Sequence, residues 1–479
     1  MALIRRLARA AGNLMPRLVG RRRGAATAAG QASLPGGAPE PGGDTAPGLK
    51  RSLGAFELTA TGVGLIVGAG IFVLIGIAAG MAGGALWLPF LLAALAAALT
   101  GLSYAELAST FPSAGASFEY ARRAFGANPA FMVGWLMVFG NIVSASAVAL
   151  GFAGYLSSFV LMALVPVAVA LICLSGVILL MGVRESVALG VVFTIIEVLA
   201  LVIAIVVAAR FIGEVNYLEM PQGIGGVLQA TTLVFFAYLG FEQIASLSEE
   251  AKNPTRAVPV AILLAVVVTT ALYVAVAVVG VSALGWEELS RSNAPLADVV
   301  RRATGARVGA VVAVMALFAT ANTVLFLLLT SSRLMYGMAA SGSLPRLMGA
   351  VHSKRRTPWV ATLVAVVVAA VFALLGDIEA IAQLSNFAIL TAFLVVNAAL
   401  IRLRYTRPDL ARPFRTPWSV GRMPVIPVLG IGTSLFMLAQ IELRVLGYGL
   451  GIALLGLVVS LLVPWGGGWG WVRMGRTSE

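Results

Sequence analysis

Long apolar stretches separated by short polar joints set the pattern of this chain. About 20 consecutive apolar residues cross a bilayer as a helix, and twelve such windows can be drawn here. They lie near 54–80, 84–109, 129–158, 162–182, 187–210, 227–246, 258–283, 309–335, 359–375, 378–402, 424–442 and 445–464. The pattern predicts an all-α polytopic membrane protein of about twelve transmembrane helices.

Two windows are internally weak. The first holds Gly62-Val63-Gly64-Leu65-Ile66-Val67-Gly68-Ala69-Gly70-Ile71-Phe72, in which four of eleven residues are glycine. Each glycine costs a helix roughly 1 kcal/mol relative to alanine. A backbone that opens inside a membrane must then find partners in protein or in a polar cavity. Close helix packing through small residues is the competing explanation. The sixth window carries Phe235-Phe236-Ala237-Tyr238-Leu239-Gly240-Phe241-Glu242, a glycine and then a carboxylate at membrane depth. The windows divide as five, five and two, and the weak helices stand first in each block of five. Paired interruptions at corresponding positions mark a transporter's binding site. An amino-acid zwitterion is a ligand that bare backbone can hold.

The expected organisation is a disordered basic cytoplasmic tail (1–50), a first five-helix block (51–211) and a second (225–405). Two additional helices (423–465) and a cytoplasmic tail (466–479) follow. The tail's few acids and many Ala, Gly, Arg and Pro bury too little apolar surface to fold alone. A basic amphipathic helix on an anionic membrane face, or a transit peptide, is a competing use of the Arg-rich start. No secretory signal peptide is evident.

Composition agrees: 60% of residues are hydrophobic and 11% charged. The net charge of +13 reports topology rather than a nucleic-acid partner. Nine of the 33 Lys and Arg precede the first span, eighteen fall in even-numbered loops or the C-terminal tail, and six lie opposite. The positive-inside rule then puts both termini in the cytoplasm, and the bacterial inner (cell) membrane is the expected location. Cys173 is the single cysteine, so no intrachain disulfide forms and no covalent accessory subunit is expected. One histidine and one cysteine are too few for a zinc or haem site, and no cofactor is expected. No P-loop is visible, and the glycines of 62–70 lie in a membrane span rather than between a strand and a soluble helix. An enzyme is not expected.

Several motifs together resemble the amino acid–polyamine–organocation superfamily of permeases. They are Val67-Gly68-Ala69-Gly70-Ile71-Phe72, Phe111-Pro112-Ser113-Ala114-Gly115, Phe236-Ala237-Tyr238-Leu239-Gly240-Phe241-Glu242 and Glu249-Glu250-Ala251-Lys252-Asn253-Pro254. Ser332-Arg333-Leu334-Met335-Tyr336 and Arg407-Pro408 through Arg412-Pro413-Phe414 complete the set. The resemblance implies a LeuT-type fold of two inverted five-helix repeats, with the site between spans one and six. It implies that a substrate carboxylate meets backbone N–H groups near Gly68, Ala69 and Gly70. The positive end of the following half-helix favours an anion there on physical grounds. The ammonium would meet the carbonyl of Ile66 and those of Phe236, Ala237 and Leu239. Alternating access follows as rocking of one bundle against the other.

Three acids stand in or near the spans. A charged carboxylate at the bilayer centre costs roughly 2.5–3.5 kcal/mol on insertion scales, so such a group is a natural proton carrier. Glu242, beside the second interruption, is expected to be proton-responsive or gating, ahead of a purely structural hydrogen-bonding role. Glu106, at the end of span two, reads as an interfacial acid helping a loop fold. Glu197 departs from proton-coupled relatives, which often place a lysine about there. It can carry the proton, attract a cation or hydrogen-bond span one, and the coupling ion stays open between proton and sodium.

Span three offers Gly140 and Asn141 where some cationic amino-acid permeases carry an acid, which leans toward neutral substrates. Asn141, Ser144 and Ser146 either line the site or pack helices. Thr320, Asn322 and Thr323 of span eight are compatible with a sodium site, although helical hydroxyls commonly bond their own backbone. Among Phe236, Tyr238 and Phe241, Tyr238 has the best chemistry for a gate. The function expected is a secondary-active amino-acid permease, ion-coupled or exchanging. A polyamine carrier, an amino-acid/amine antiporter and a non-transporting amino-acid sensor are the alternatives.

Overall fold

The computed structural model describes residues 53–112, 115–182, 187–353 and 355–462. Both expected tails lie outside the described residues, as do Ser113 and Ala114 of the second motif.

Every apolar window coincides with helix. The first is split into α1 (Ala55–Ile66) and α2 (Ala69–Ala82), bent by 45° at the break. There follow α3 (Trp87–Thr110), a short α4 (Ala116–Phe125), α5 (Ala127–Ser157), α6 (Leu164–Met181) and α7 (Val187–Ala208). The sixth window is also interrupted, into α8 (Gly223–Val234), a 3-10 turn over Phe235–Tyr238, and α9 (Phe241–Ser246). Beyond it lie α10 (Pro254–Leu284), the short α11 (Trp286–Arg291) and α12 (Pro295–Thr304), and then α13 (Ala306–Ala340). α14 (Trp359–Ala373), α15 (Ile378–Thr406), a two-strand hairpin of β1 (Ser419–Val420) and β2 (Met423–Pro424), α16 (Val425–Ala439) and α17 (Leu443–Leu462) complete the chain.

Among the described residues nine helices are long and apolar enough to span a membrane, ten when α1 and α2 count as one. The windows at α14 and α16 are apolar but shorter, at 15 residues each. About twelve spans were expected; the difference rests on these two, whose 15 residues rise only about 22 Å along a straight helix. Three short helices fall outside the windows. α4 and α12 are amphipathic, with Arg122–Arg123 and Arg301–Arg302 in their last turns, so hydropathy alone passes over them.

α5 sits at the centre, with 89% of its apolar window buried, while the windows of α6 and α17 are only 28% and 22% buried. The latter two turn their apolar side chains outward, as lipid-facing helices do. Cys173 is exposed on α6, in keeping with a small apolar residue on such a helix. The entry to α1 is tied to the exit of α9: Leu53 N–H donates to Glu250 O at 3.0 Å and Lys252 N–H to Leu53 O at 2.8 Å.

A polar seam joins α3 to α15. Ser103 Oγ donates to Asn397 Oδ1 (2.7 Å), and Asn397 Nδ2 donates to Thr100 Oγ1 (3.2 Å). One turn on, the fully buried Glu106 receives Arg404 Nε at 2.9 Å and Nη2 at 2.5 Å, and the Thr416 N–H at 2.7 Å. Glu106 thus fastens the segment after α15 to the end of α3, as an interfacial acid that helps a loop fold.

Candidate functional site between the two broken helices

The two breaks interlock at the backbone. α1 ends at Val67 and α2 starts from Gly68, whose φ of −79° is open to any residue. Space, not conformation, is what the glycines of this segment supply. A Cβ on Gly70 would lie 2.6 Å from Ala237 Cα, and one on Gly64 would overlap the Thr194 hydroxyl of α7. In the other direction Gly240 has φ +120°, a conformation L side chains rarely adopt, and a Cβ there would strike the Leu65 carbonyl. Each opened segment is therefore seated against the backbone of the other.

The polar groups follow from this geometry. α2 begins with the amides of Ala69, Gly70 and Ile71, which have no partner within their own helix. Ala69 N–H reaches Thr323 Oγ1 of α13 at 3.3 Å. The Gly68 amide turns back onto Ile66 O at 2.7 Å, so of the three amides expected to meet a carboxylate, Gly68 is engaged by backbone and Ala69 by the Thr323 hydroxyl. On the carbonyl side, Tyr273 of α10 places its hydroxyl 2.9 Å from Ile66 O and 2.9 Å from Ala237 O. One hydroxyl proton serves one acceptor at a time, so the hydroxyl gathers the two carbonyls toward a single point. The Phe236 carbonyl accepts the Leu239 N–H at 3.2 Å within the turn.

Tyr238 is packed into the helix bundle. Its ring is fully buried edge-on to Tyr273, with centroids 5.3 Å apart, and its hydroxyl donates to Phe90 O of α3 at 3.0 Å. It fastens the turn to α3. Phe241 packs against Tyr104 and Phe393, and Phe236 is buried.

Glu242 is buried, and its Oε2 accepts the Gly240 N–H at 2.9 Å. The carboxylate reaches back to the N–H of the residue from which the helix restarts. Glu197 is buried on α7, one turn beyond Thr194, beside the Asn322 side chain of α13. Thr320 and Thr323 bond the carbonyls of Ala316 (2.7 Å) and Ala319 (2.9 Å) in their own helix. Ser144 and Ser146 serve packing: Ser144 meets Ser385 at 2.6 Å and Ser146 donates to Ala369 O at 2.8 Å. Asn141 is buried beside them on α5.

Tyr273 was not singled out from the sequence. Its signal is a lone hydroxylated aromatic in the aliphatic run Leu272-Tyr273-Val274-Ala275-Val276, where an unpaired hydroxyl would be costly. Nothing in the linear pattern shows that its partners are the two breaks.

A family profile described as "Amino acid permease" matches residues 53–453. The chain is 33% identical over 436 residues to the branched-chain amino acid permease BcaP of Bacillus subtilis (strain 168), covering 86% of this chain and 93% of that one. It is 33% identical over 412 residues to the methylthioribose transporter of the same organism, covering 81% and 88%. With human cationic amino acid transporter 4 it shares 31% over 385 residues, 75% of this chain and 60% of that one. The match spans both broken helices and everything packed around them, so the chain belongs to the amino acid permease family and is a transporter, not an enzyme.

Proposed function

We propose that the chain is a secondary-active carrier of neutral, aliphatic amino acids, held between the two breaks by backbone alone at the α-carbon. The observation that carries this reading is that groups of opposite polarity stand at two breaks seated against each other. Amides with no partner in their own helix open α2, that of Ala69 on the Thr323 hydroxyl, and the carbonyls of Ile66 and Ala237 converge on the Tyr273 hydroxyl. The substrate carboxylate takes the amides of Ala69, Gly70 and Ile71, where the helix dipole adds to the hydrogen bonds. The ammonium takes the Ile66 and Ala237 carbonyls in place of, or alongside, the Tyr273 hydroxyl. Gly140 and Asn141, in place of an acid on α5, and the named substrate of BcaP support a neutral side chain.

The spans in this reading number twelve, as two inverted five-helix repeats and two further helices in the cell membrane, with both termini cytoplasmic. Transport is alternating access, coupled to a proton in preference to sodium, or run by exchange. Glu242 and Glu197 are the carboxylates at membrane depth that can take up that proton. Uptake into liposomes tests all of this together. Concentrative uptake of branched-chain amino acids under an imposed pH gradient supports the reading. Dependence on a sodium gradient or on internal counter-substrate replaces the proton. Uptake of methylthioribose or a polyamine, without amino acids, contradicts the substrate class, and binding without flux favours a sensor.

A further inference from the structure

The segment between α15 and α16 is built as a fixed foot with an exposed tip. At the foot, Thr416 is buried and held by Glu106, and Arg404 Nη1 donates to Ser419 Oγ at 2.7 Å. At the tip, Trp418 and Val420 are 71% and 76% exposed. Trp418 has φ +57°, an outlier for a bulky residue, and it is held there by the Val425 N–H, which donates to its carbonyl at 3.0 Å. The effect is an indole presented outward on a rigid two-strand hairpin.

The surroundings of the tip are basic and adjoin the ends of two apolar helices. α16 starts immediately after β2, and the other flank is the last turn of the spanning helix α15. Between residues 402 and 424 there are six arginines and one acid, Asp409. Arg404 and Arg412 are spent on Glu106. Arg402, Arg407, Arg415 and Arg422 remain exposed. Tyr405, 48% exposed at the end of α15, adds a second interfacial aromatic.

We infer that this hairpin is a lipid-docking element. Trp418 and Val420 enter the interfacial layer while Arg415 and Arg422 pair with the phosphates of anionic headgroups. Indoles favour the headgroup level, and clustered Arg beside a span binds anionic lipid. A lipid fits better than a protein partner because the tip stands level with the ends of two apolar helices, where headgroups are the neighbouring phase. Because Arg404 contacts both Ser419 and Glu106, lipid engagement is wired to the end of α3, and anionic lipid will raise transport.

The test uses the full chain with Cys173→Ala and Val420→Cys, labelled with bimane and reconstituted in phosphatidylcholine with or without phosphatidylglycerol. The inference expects a blue-shifted emission and quenching by headgroup nitroxide lipid with phosphatidylglycerol present. Both effects diminish at high salt and disappear in the Arg415→Gln/Arg422→Gln variant. Uptake should rise several-fold with phosphatidylglycerol in the otherwise native chain but not in that double variant, with equal uptake in phosphatidylcholine alone. A water-like emission in both membranes overturns the inference. Equal quenching in both overturns the anionic preference. Uptake indifferent to phosphatidylglycerol overturns the link to transport.

Discussion

The hydroxyl of Tyr273 lies 2.9 Å from the carbonyl of Ile66, and the same oxygen lies 2.9 Å from the carbonyl of Ala237. One side chain on a third helix thereby organises the acceptors that two broken helices expose. The ring is held independently, edge-on to Phe90 at 5.7 Å and to Tyr238 at 5.3 Å between centroids. Tyr273→Phe should therefore keep the packing and lose only the hydroxyl. A net hydrogen bond is worth about 1 kcal/mol, so KM should rise roughly fivefold with little change in Tm. An unchanged KM would show that the carbonyls hold their positions without it.

Gly70 and Gly240 make separate demands. Gly70→Ala places a methyl 2.6 Å from the Ala237 α-carbon, and Gly240→Ala forces φ +120° on a side chain. Both should abolish substrate binding, measured by scintillation proximity on purified protein. Gly337→Ala, where the added Cβ meets nothing within 4 Å, should bind normally. Binding retained by Gly70→Ala would remove the first break from the site.

Glu242 separates two roles by chemistry. Glutamine can still accept the Gly240 N–H through its amide oxygen, whereas alanine cannot. Glu242→Gln should keep Tm and flatten the pH dependence of uptake, and Glu242→Ala should lower stability by about 1 kcal/mol, the usual net value of a lost hydrogen bond. A native pH profile in the glutamine variant assigns Glu242 to holding the Gly240 N–H alone.

Glu106 and Arg404 form a buried pair, with Glu106 fully enclosed. Removing one partner of such a pair costs about 3–5 kcal/mol because the other charge is stranded. Glu106→Gln should lower Tm sharply, and Glu106→Gln/Arg404→Gln should recover part of the loss. A double variant no better than the single would show that Arg404 is not the partner that matters.

The bridge between Leu53 and Ala251 ties the start of α1 to the end of α9. If these ends of the two broken helices travel together, a disulfide there is harmless. Leu53→Cys/Ala251→Cys in a Cys173→Ala background should transport equally when oxidised or reduced. Loss of uptake on oxidation would show that the two ends separate during the cycle.

The apolar windows and the glycines of the first and sixth spans were legible in the sequence because membrane insertion leaves a strong linear signal. The positions of both breaks were legible for the same reason. Other features were not, because they depend on contacts between segments far apart in the chain. Tyr273 meets Ile66 across 207 residues, and Arg404 meets Glu106 across 298. Tyr238 was read as having the best chemistry for a gate, and its hydroxyl bond to Phe90 O, 148 residues away, leaves no linear signal. The amphipathic helices α4 and α12 escaped because their periodic charges hide them from a hydropathy window.

The central claim is that the two breaks hold both ends of a zwitterion. It is tested most directly by competition for uptake of leucine in liposomes. The competitors are unlabelled leucine, its decarboxylated amine and its 2-keto acid. Only leucine should compete at comparable concentration, because each analogue leaves one set of backbone groups unpaired. Equal inhibition by the amine or the keto acid would contradict the account, since one half of the proposed site would then contribute nothing to recognition.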